Sequence, residues 1–362
     1  MRSGGCGTVF KVDASGNYSV VYRFLAGKDG GLPYSSLVED EAGNLYGNTL
    51  GVGNLADSTV FKIDPQGNET VLYDFNGPQG CCQDSPLALD TKGNIYGTSP
   101  YGGGRQFCQV VPDGCGSIYQ LTPAGKIKVL HVFEGTDGIQ PEGGLVVGAN
   151  GLLYGTTVIG GNLSCYGPDI FSNVNGGVHG CGTVFSLNPK TKQLTTLHVF
   201  TGQADGSVPY GLTPDNKGNL YGIAFFGGNT VCDEDPYGCG IIYKIDSNGN
   251  FSVLYAFTPD IKQPDFQGRT FFDAQGNFYG VNGIGGSHNS GFIFKLGTDG
   301  TFSYVFDFPS TADVPDGSFV RGVVMDSAGN FYGSMLLHGD VLGNCETAGQ
   351  QQGCGTVFEV SF

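Results

Sequence analysis

The sequence has no tryptophan, little charge and no long apolar run. None of its 362 residues is Trp, and only 14% are Asp, Glu, Lys or Arg. No apolar stretch approaches the roughly 20 residues that cross a bilayer, which argues against direct membrane insertion. The apolar positions also lack the period of about 3.6 residues that marks amphipathic helices, so a helical protein is not expected.

The little charge that is present is mostly negative, with a formal net charge of −16. An acidic surface repels the phosphates of nucleic acids, so we expect no nucleic-acid partner. It equally gains nothing from the anionic headgroups of a membrane. We expect no cofactor, and calcium is the one candidate cation, because an acidic surface attracts cations.

Glycine and cysteine are abundant, with 64 Gly and 11 Cys. The cysteines do not form CxxC pairs, and so many of them are typical of an oxidising compartment. We therefore expect a secreted, extracellular or cell-surface protein. The start, MRSGGCGTVF, lacks the regions of a signal peptide, so any signal is expected to have been removed or to lie outside this sequence.

One five-residue pattern, Gly-Asn-Leu-Tyr-Gly with small variations, occurs six times. Its tyrosines are Tyr46, Tyr96, Tyr154, Tyr221, Tyr279 and Tyr332. Successive copies are 50, 58, 67, 58 and 53 positions apart. Each period contains four apolar runs of strand length, bounded by turn residues. Repeated four-stranded antiparallel sheets are typical of a β-propeller.

Tight turns of the form Asp-x-x-Gly-Asn separate the runs, as in DEAGN, DTKGN, DPQGN and DSNGN. Asp begins such a turn by accepting backbone N–H groups, and Gly takes the left-handed position that follows. A calcium loop of the EF-hand kind needs oxygen ligands alternating over about 12 positions. Short antiparallel hairpins are therefore the preferred interpretation of these turns.

The strand count predicts six blades and one strand over. Three of the strand types occur six times each, whereas the Gly-Thr-Val-Phe strand occurs seven times. The predicted fold is an all-β propeller of six four-stranded blades with a surplus seventh GTVF strand; the alternative is a seven-bladed propeller with incomplete blades. Within a single domain, 1–362, the predicted blades span 33–75, 86–133, 141–200, 209–257, 264–308 and 315–362, the last completed by 7–24.

Two segments, CGTVFKV from Cys6 and CGTVFEV from Cys354, compete for one position in the last blade. The surplus strand has three open outcomes. It packs at an edge, begins a partial seventh blade, or is donated to a neighbouring molecule in a head-to-tail polymer. An exposed strand edge invites pairing, so we do not expect it to stay bare.

The aromatic residues of the repeat are expected to fill the space between blades rather than to bind a ligand. Besides the six tyrosines they form two further sets. The third-strand set is Phe10, Phe61, Tyr119, Phe185, Tyr243, Phe294 and Phe358. The set that closes each fourth strand is Phe24, Phe75, Phe133, Phe200, Phe257 and Phe308.

These units, of the form GTVFKID…VLYDF…GNLYGTT…GG, resemble the GloVer tandem repeat of bacterial choice-of-anchor surface proteins. The resemblance covers nearly the whole chain. It implies a secreted or cell-surface bacterial propeller, and it supplies no enzymatic activity or site residues. No anchor or sorting segment follows Phe362, so we expect a fragment or a protein retained by association.

Length variation is concentrated in the loops that follow the Tyr strand, at residues 101–114, 158–180, 225–238 and 336–353. Long loops on a rigid scaffold are where recognition usually resides. Cysteine pairs within these loops predict the disulfides Cys108–Cys115, Cys165–Cys181, Cys232–Cys239 and Cys345–Cys354. Four dispersed pairs suit staples better than one tetrahedral metal site. Cys6, Cys81 and Cys82 remain unassigned thiols. Cys81 and Cys82 can form a vicinal disulfide ring, or Cys6 can pair with one of them or with a neighbouring molecule.

Two further sets of residues are candidates for binding or modification. Aspartates recur in the interblade loops at Asp29, Asp84, Asp137, Asp205 and Asp316. Turn capping explains them most simply; the alternative is a carboxylate ring at the channel mouth that binds cations or sugar hydroxyls. Candidate glycosylation sites of the form N-x-S/T are Asn17, Asn68, Asn162 and Asn250.

The sequence thus predicts a secreted, non-catalytic propeller in extracellular binding, adhesion or structure. Its expected partners are surface glycans or further copies of itself, the latter as a filament subunit joined by strand donation. A metal-dependent lactonase-like or lyase-like enzyme is a second alternative, which rests on fold analogy alone. The five His are scattered, with His131 and His198 in positions where other repeats have Tyr, and no HExxH motif is present.

Overall fold

A computed structural model describes residues 6–13, 15–25, 27–50, 58–75, 85–102, 114–165, 180–228, 232, 237–259, 269–309, 320–335 and 356–361. The 25 named elements of these residues are all β-strands. The described part therefore contains no helix long and apolar enough to span a membrane. The chain divides into two compact units, Met1–Val199 and Phe200–Phe362.

The first unit contains one two-stranded and three four-stranded antiparallel sheets. The two-stranded sheet pairs β1 (Thr8–Val12) with β2 (Tyr18–Arg23). The first complete sheet contains β3 (Val38–Glu39), β4 (Leu45–Thr49), β5 (Ser58–Ile63) and β6 (Glu69–Phe75). The second contains β7 (Ala88–Leu89), β8 (Ile95–Ser99), β9 (Ser117–Leu121) and β10 (Ile127–Val132). The third contains β11 (Leu145–Val147), β12 (Leu153–Thr157), β13 (Thr183–Leu187) and β14 (Leu194–Val199).

The second unit contains two four-stranded sheets and one three-stranded sheet. The first has β15 (Ser207–Pro214), β16 (Leu220–Phe226), β17 (Ile241–Ile245) and β18 (Phe251–Ala256). The next has β19 (Phe271–Phe272), β20 (Phe278–Asn282), β21 (Phe292–Leu296) and β22 (Phe302–Asp307). The three-stranded sheet has β23 (Val320–Met325), β24 (Phe331–Met335) and β25 (Thr356–Val360).

Every complete sheet is a meander in which neighbours in sequence are neighbours in space. The 25 strands of the described residues amount to six blades of four with one strand over, so the fold is the predicted all-β propeller. The surplus is visible as two separate short sheets, because β1 pairs with β2 and β25 pairs with β24. The blade limits, and the completion of the last blade by residues 7–24, stay predictions.

All six pairs of third and fourth strands in the described residues carry a bulge at one position of the repeat. In β5 and β6 the register shifts between Val60 and Phe61, in the middle of the Thr-Val-Phe segment. A bulge increases the local right-handed twist and bends the strand. The repeated bulge thus gives each blade the same twisted outer edge.

Within each unit, aromatic pairs connect one sheet to the next. The closing Phe of one sheet packs edge-to-face against the third-strand aromatic of the following sheet, as in Phe24–Phe61, with centroids 5.0 Å apart, and Phe133–Phe185 at 5.4 Å. The other pairs are Phe75–Tyr119, Phe200–Tyr243, Phe257–Phe294 and Phe308–Phe358. Such pairs add about 0.5–1.5 kcal/mol beyond the area that they bury. The predicted interblade role of these residues is confirmed.

Phe10 is the exception, since its side chain is 41% exposed. The prediction that Phe10 fills the space between blades is therefore wrong in this structure. The physical reason is local: within the described residues, β1 pairs only with β2 and has no second strand on its other edge.

Candidate functional site

Each blade has two ends of different character. The Asp-x-x-Gly-Asn turns lie at one end, which we call the hairpin end. The loops between second and third strands lie at the other end, together with the turns that lead from one blade to the next. We call this the stapled end, because the disulfides lie there.

The structure forms two of the four predicted disulfides, Cys165–Cys181 in the first unit and Cys232–Cys239 in the second. Cys115 is also disulfide-bonded, at the same position before a third strand. The predicted partner Cys108 and the pair Cys345–Cys354 lie outside the described residues, as do Cys81 and Cys82. Cys6, the counterpart of Cys115 in the repeat, is a free thiol.

In the third blade the stapled loop folds back on the interblade turn. A parallel bridge joins Gly160 to Gly180, and an antiparallel bridge joins Ile139 to Ile159. Gly160 has a φ of 85°, and a Cβ there would lie 2.7 Å from the carbonyl carbon of Gly138. Only Gly fits such a conformation and such an approach. The base of this loop is therefore held by the backbone, and the disulfide closes it.

Buried threonines tie the same region to the sheet. The hydroxyls of Thr157 and Thr183 are 2.9 Å apart, and the Thr183 hydroxyl donates to the carbonyl of Asp137 at 3.1 Å. In the first blade Thr49 and Thr59 form the equivalent pair at 2.8 Å. These pairs satisfy polar groups that would otherwise be costly to bury.

The interblade aspartates of the described residues act as turn caps. Asp29 accepts the N–H of Leu25 at 2.8 Å, Asp137 accepts the N–H of Glu134 at 2.8 Å, and Asp205 accepts the N–H of Thr201 at 3.1 Å. Hydrogen bonds to local N–H groups explain these three residues without a ligand. Asp84 and Asp316 lie outside the described residues, and the carboxylate ring stays a prediction.

His131 and Asp137 form the most enzyme-like contact at this end, with Nε2 and Oδ2 2.7 Å apart. The His131 ring also packs edge-to-face on Phe133. The corresponding residues of the N-terminal sheet make the same contact, because the Tyr22 hydroxyl donates to Oδ2 of Asp29 at 3.2 Å. Since Tyr replaces His in the same arrangement, the contact is explained by turn stability rather than by proton transfer.

At the hairpin end the Asp side chains accept hydrogen bonds from N–H groups of their own turns. Asp64 accepts the side-chain amide of Asn68 at 2.9 Å and the backbone N–H groups of Asn68 and Gln66, both at 2.9 Å. These bonds, the Asn68 amide first, lower the pKa of Asp64. The carboxylate oxygens are thus occupied by N–H groups, as predicted for hairpins.

A further bond at these turns, made by the repeat tyrosines, was not predicted from the sequence. The Tyr46 hydroxyl donates to Oδ2 of Asp40 at 3.0 Å, and Tyr279 donates to Asp273 at 3.1 Å. Burial, followed by the bond to Asp40, raises the pKa of Tyr46 to about 12. Tyr96, Tyr221 and Tyr332 make the same contact. The signal was present as a constant six-residue spacing from Asp to Tyr in five of the six repeats.

Three of the four candidate glycosylation sites lie in hairpin turns and are exposed. The side-chain amides of Asn17, Asn68 and Asn250 donate to Asp13, Asp64 and Asp246. Asn162 is exposed at the stapled end, where its carbonyl side chain accepts the N–H of Ser164 at 3.1 Å. Modification of the four stays a prediction.

Within the described residues no group of three or more His, Cys, Asp and Glu side chains is arranged to hold a metal ion. Calcium therefore has no assigned ligands in this part of the chain.

Comparison with known proteins identifies the repeat and the fold. Residues 2–172 match the Gloeobacter/Verrucomicrobia repeat, which confirms the resemblance over that part of the chain. No curated protein matches the chain significantly. Several hundred solved chains do match, 405 in all, which supports the fold assignment.

Three solved structures illustrate the likeness. Virginiamycin B lyase from Staphylococcus aureus is 13% identical, with a TM-score of 0.54 and coverage of 93% of this chain and 85% of that chain. A Bacteroides fragilis protein assigned as a 6-phosphogluconolactonase is 16% identical, with a TM-score of 0.55 and coverage of 92% and 85%. The extracellular domain of a B. thetaiotaomicron protein assigned as a one-component system is 9% identical, with a TM-score of 0.54 and coverage of 94% and 39%. At such identities the likeness shows the fold alone, so the chain is a β-propeller whose residues 2–172 carry the Gloeobacter/Verrucomicrobia repeat.

Proposed function

We propose that this propeller works outside the cell as a non-catalytic binding or adhesion scaffold, and that it binds surface glycans through its stapled end. The observation that carries the proposal is the contrast between the two ends of each blade. Short, self-satisfied turns form the hairpin end, whereas longer loops closed by Cys165–Cys181 and Cys232–Cys239 form the other. Loops that vary on a rigid scaffold are the usual place for recognition.

The disulfides also support the proposed location. Disulfides persist in oxidising compartments and are rare in a reducing cytosol. A chain-entropy estimate gives each such staple about 2–3 kcal/mol, which preserves loop shape outside the cell. We expect the protein in the extracellular or surface fraction of the producing cells, and recovery only from the cytosol would contradict this location.

Exposed tyrosines at the stapled end offer the contacts that glycans need. Tyr34, beside an interblade turn of the first unit, is 57% exposed, and Tyr237, beside Cys239 in the second, is 39% exposed. An aromatic ring offers an apolar face for a sugar ring, and its hydroxyl offers a hydrogen bond. The formal net charge of −16 disfavours anionic ligands and is compatible with a neutral sugar.

A glycan array with the full chain tests the proposal. We expect binding that falls about tenfold in Tyr34→Ala or Tyr237→Ala, since losing one stacking contact costs about 1.4 kcal/mol. Tyr304→Ala is the matched control, because Tyr304 is 40% exposed but lies within β22. No binding to any glycan, or equal losses in all three variants, would contradict the proposal.

The lactonase-like or lyase-like alternative has the support of the fold alone. An activity screen on lactones and polysaccharides with the same preparation is its direct test. Turnover abolished by a substitution at the stapled end would replace the binding proposal.

A further inference from the structure

The chain carries the same third strand twice, as TVFKV in β1 and TVFEV in β25, which differ only at Lys11 and Glu359. In the complete sheets the third strand lies between a second and a fourth strand. By contrast, β1 pairs only with a fourth-type strand, β2, and β25 pairs only with a second-type strand, β24. Within the described residues the β1–β2 sheet therefore lacks a second-type strand, and the β23–β24–β25 sheet lacks a fourth-type strand.

The third-strand aromatic side chain of β1, Phe10, is exposed, whereas its counterparts in the complete sheets pack over a glycine of the second strand. Phe61 is fully buried because it rests over Gly47, where a Cβ would lie 2.6 Å from Cζ of Phe61. Phe185 and Phe294 rest in the same way over Gly155 and Gly280. Phe10 is instead 41% exposed, and its ring contacts Tyr18, with centroids 5.5 Å apart.

The strand that now occupies the edge of β24 is less buried than its counterparts. In β13 all five residues are buried, whereas in β25 only Val360 is buried. Phe358 packs over Gly333, as its counterparts do over theirs, and its ring centroid lies 5.0 Å from that of Phe308. It nevertheless stays partly exposed. The reason is that no fourth strand covers β25 in the described residues. Less burial means a smaller hydrophobic stabilisation of β25 on β24.

Charge also favours β1 over β25 on this edge. In three complete blades a Lys of the third strand lies over the repeat Tyr of the second: Lys62 over Tyr46 at 5.9 Å, Lys244 over Tyr221 at 5.5 Å and Lys295 over Tyr279 at 5.9 Å. Such cation–π contacts are attractive, and each Tyr is also bonded to an Asp.

The last sheet has an anion at this position. Tyr332 pairs with Glu359, and its hydroxyl contacts the carboxylates of both Glu359 and Asp326 at 3.2 Å. Two carboxylates thus face one hydroxyl, and no cation of β25 lies over the ring. Lys11 occupies in β1 the position that Lys62 occupies in β5. β1 therefore carries the positive charge that would lie over Tyr332 of β24 and beside Asp326.

We propose that the β1–β2 hairpin of a second copy of this chain takes the place of β25 on β24, and that copies associate head-to-tail. The register follows from β25: Phe10 would lie opposite Gly333, and Lys11 opposite Tyr332. The hairpin brings β2 as the fourth strand, so the junction is a complete four-stranded blade. Strand addition of this kind gains main-chain hydrogen bonds as well as side-chain packing.

A second copy is the proposed occupant because β1 and β24 of one chain lie in separate sheets within the described residues. Val9 and Phe24 anchor the β1–β2 hairpin in a core cluster with Phe61 and Ile63 of β5. This anchoring buries Val9 and Phe24 and leaves Phe10 41% exposed. A head-to-tail contact is heterologous, so it produces open chains of copies or closed rings. The proposal concerns β1 and β25 alone and does not depend on ligand binding at the stapled end.

Sedimentation velocity of the full chain over a wide concentration range tests the proposal. We expect the wild type to form concentration-dependent oligomers. Lys11→Glu should weaken association about three- to tenfold, since it replaces attraction to Asp326 and Tyr332 by repulsion. Glu359→Lys should also weaken it, because β25 then becomes the better competitor for its own sheet. Lys62→Glu, the same substitution in a complete blade, is the control and should leave association unchanged.

A second pair of variants separates strand pairing from other contacts. Phe10→Ala should weaken association about tenfold or more while the melting temperature of the monomer stays nearly unchanged, because Phe10 is exposed there. Cys6→Ser should associate like the wild type, since an intermolecular disulfide through the free thiol is not required. A wild type that is monomeric at every concentration overturns the proposal. So do oligomers that are insensitive to Lys11→Glu and Phe10→Ala, or that Glu359→Lys strengthens.

Discussion

Phe61 in β5 and Phe10 in β1 occupy the same position of the same Thr-Val-Phe segment, yet one is fully buried and the other is 41% exposed. The backbone around them is also the same, because both strands carry the bulge at this position. The difference arises from their neighbours: β5 lies between β4 and β6, whereas β1 pairs only with β2 in the described residues. Burial in this repeat is therefore a property of the completed blade rather than of the strand.

The largest expected effect comes from removing the ring of Phe61, and the ring of Phe10 provides the comparison. Phe61→Ala should lower the free energy of unfolding by about 3–5 kcal/mol, since it leaves a cavity in a closed core. Phe10→Ala in the monomer should cost less than about 1 kcal/mol, because little contact is lost. Urea unfolding of both variants at a concentration that keeps the chain monomeric measures the difference. Equal losses would show that Phe10 is buried in solution.

The cysteines before the third strands provide the next comparison. The double variant Cys232→Ser/Cys239→Ser should lose about 2–3 kcal/mol, because the disulfide no longer restricts the unfolded chain. Cys6→Ser, at the equivalent position of the N-terminal sheet, should change the free energy of unfolding by less than about 0.5 kcal/mol, since its thiol is free. Thermal and urea unfolding under non-reducing conditions test this. A large effect of Cys6→Ser would indicate that it forms a covalent bond.

Adding a methyl group at Gly47, under the ring of Phe61, should lower the free energy of unfolding by a smaller amount. Gly47→Ala would place a Cβ 2.6 Å from Cζ of Phe61 and 2.7 Å from Cδ2 of Leu37. Overpacking of this kind costs about 1–3 kcal/mol. Gly27→Ala is the control, because the nearest atom would be Oδ1 of Asp29 at 3.6 Å. If both variants unfold at the same urea concentration, the Phe–Gly contact does not limit the packing of the blade.

The smallest effect concerns pH and the hairpin turns. The bond from Asn68 and the backbone N–H bonds lower the pKa of Asp64 below its ordinary value of 3.8. A carboxyl with a lowered pKa stabilises the fold above 3.8, and this contribution is lost as the pH falls through the lower, folded-state value. Asp64→Ala should therefore lower stability at about pH 7 and make less difference at about pH 2.

Thr122 provides the matched control for that experiment, since it occupies the place of Asp in the turn of β9 and β10. Its hydroxyl accepts the N–H of Lys126 at 3.2 Å and does not titrate in this range. Thr122→Ala should lower stability by the same amount at both pH values. A pH-dependent loss in this variant would assign the acid sensitivity to other groups.

Local features of the structure were predictable from the sequence. Asp64, Gly67 and Asn68 form the expected hairpin, because the bonds that define it join residues at most four positions apart. The pairs Cys165–Cys181 and Cys232–Cys239 were predictable for the same reason, since each closes a single loop. The interblade role of Phe133 and Phe185 followed from the repeat.

Other features could not be predicted from the residues alone. The bond from the Tyr46 hydroxyl to Asp40 depends on the hairpin twist that brings a strand residue over the turn. The role of Asp137 as a cap for Glu134 depends on the interblade backbone, which sequence spacing did not distinguish from a ligand ring. The contact of Tyr332 with two carboxylates depends on which copy of the third strand pairs with β24.

The sequence by itself determined the repeat, the hairpins, the strand types and the surplus of one strand, because these are properties of short segments and their number. Only the tertiary structure decided where the two surplus candidates pair: β1 with β2, and β25 with β24. Hydrogen bonding along a strand edge is nearly independent of side chains, so two almost identical strands fit one edge almost equally well. The choice between them depends on burial by neighbouring strands and on a single charge, Lys11 or Glu359. Both depend on which strands lie side by side, and no single segment of the sequence specifies that.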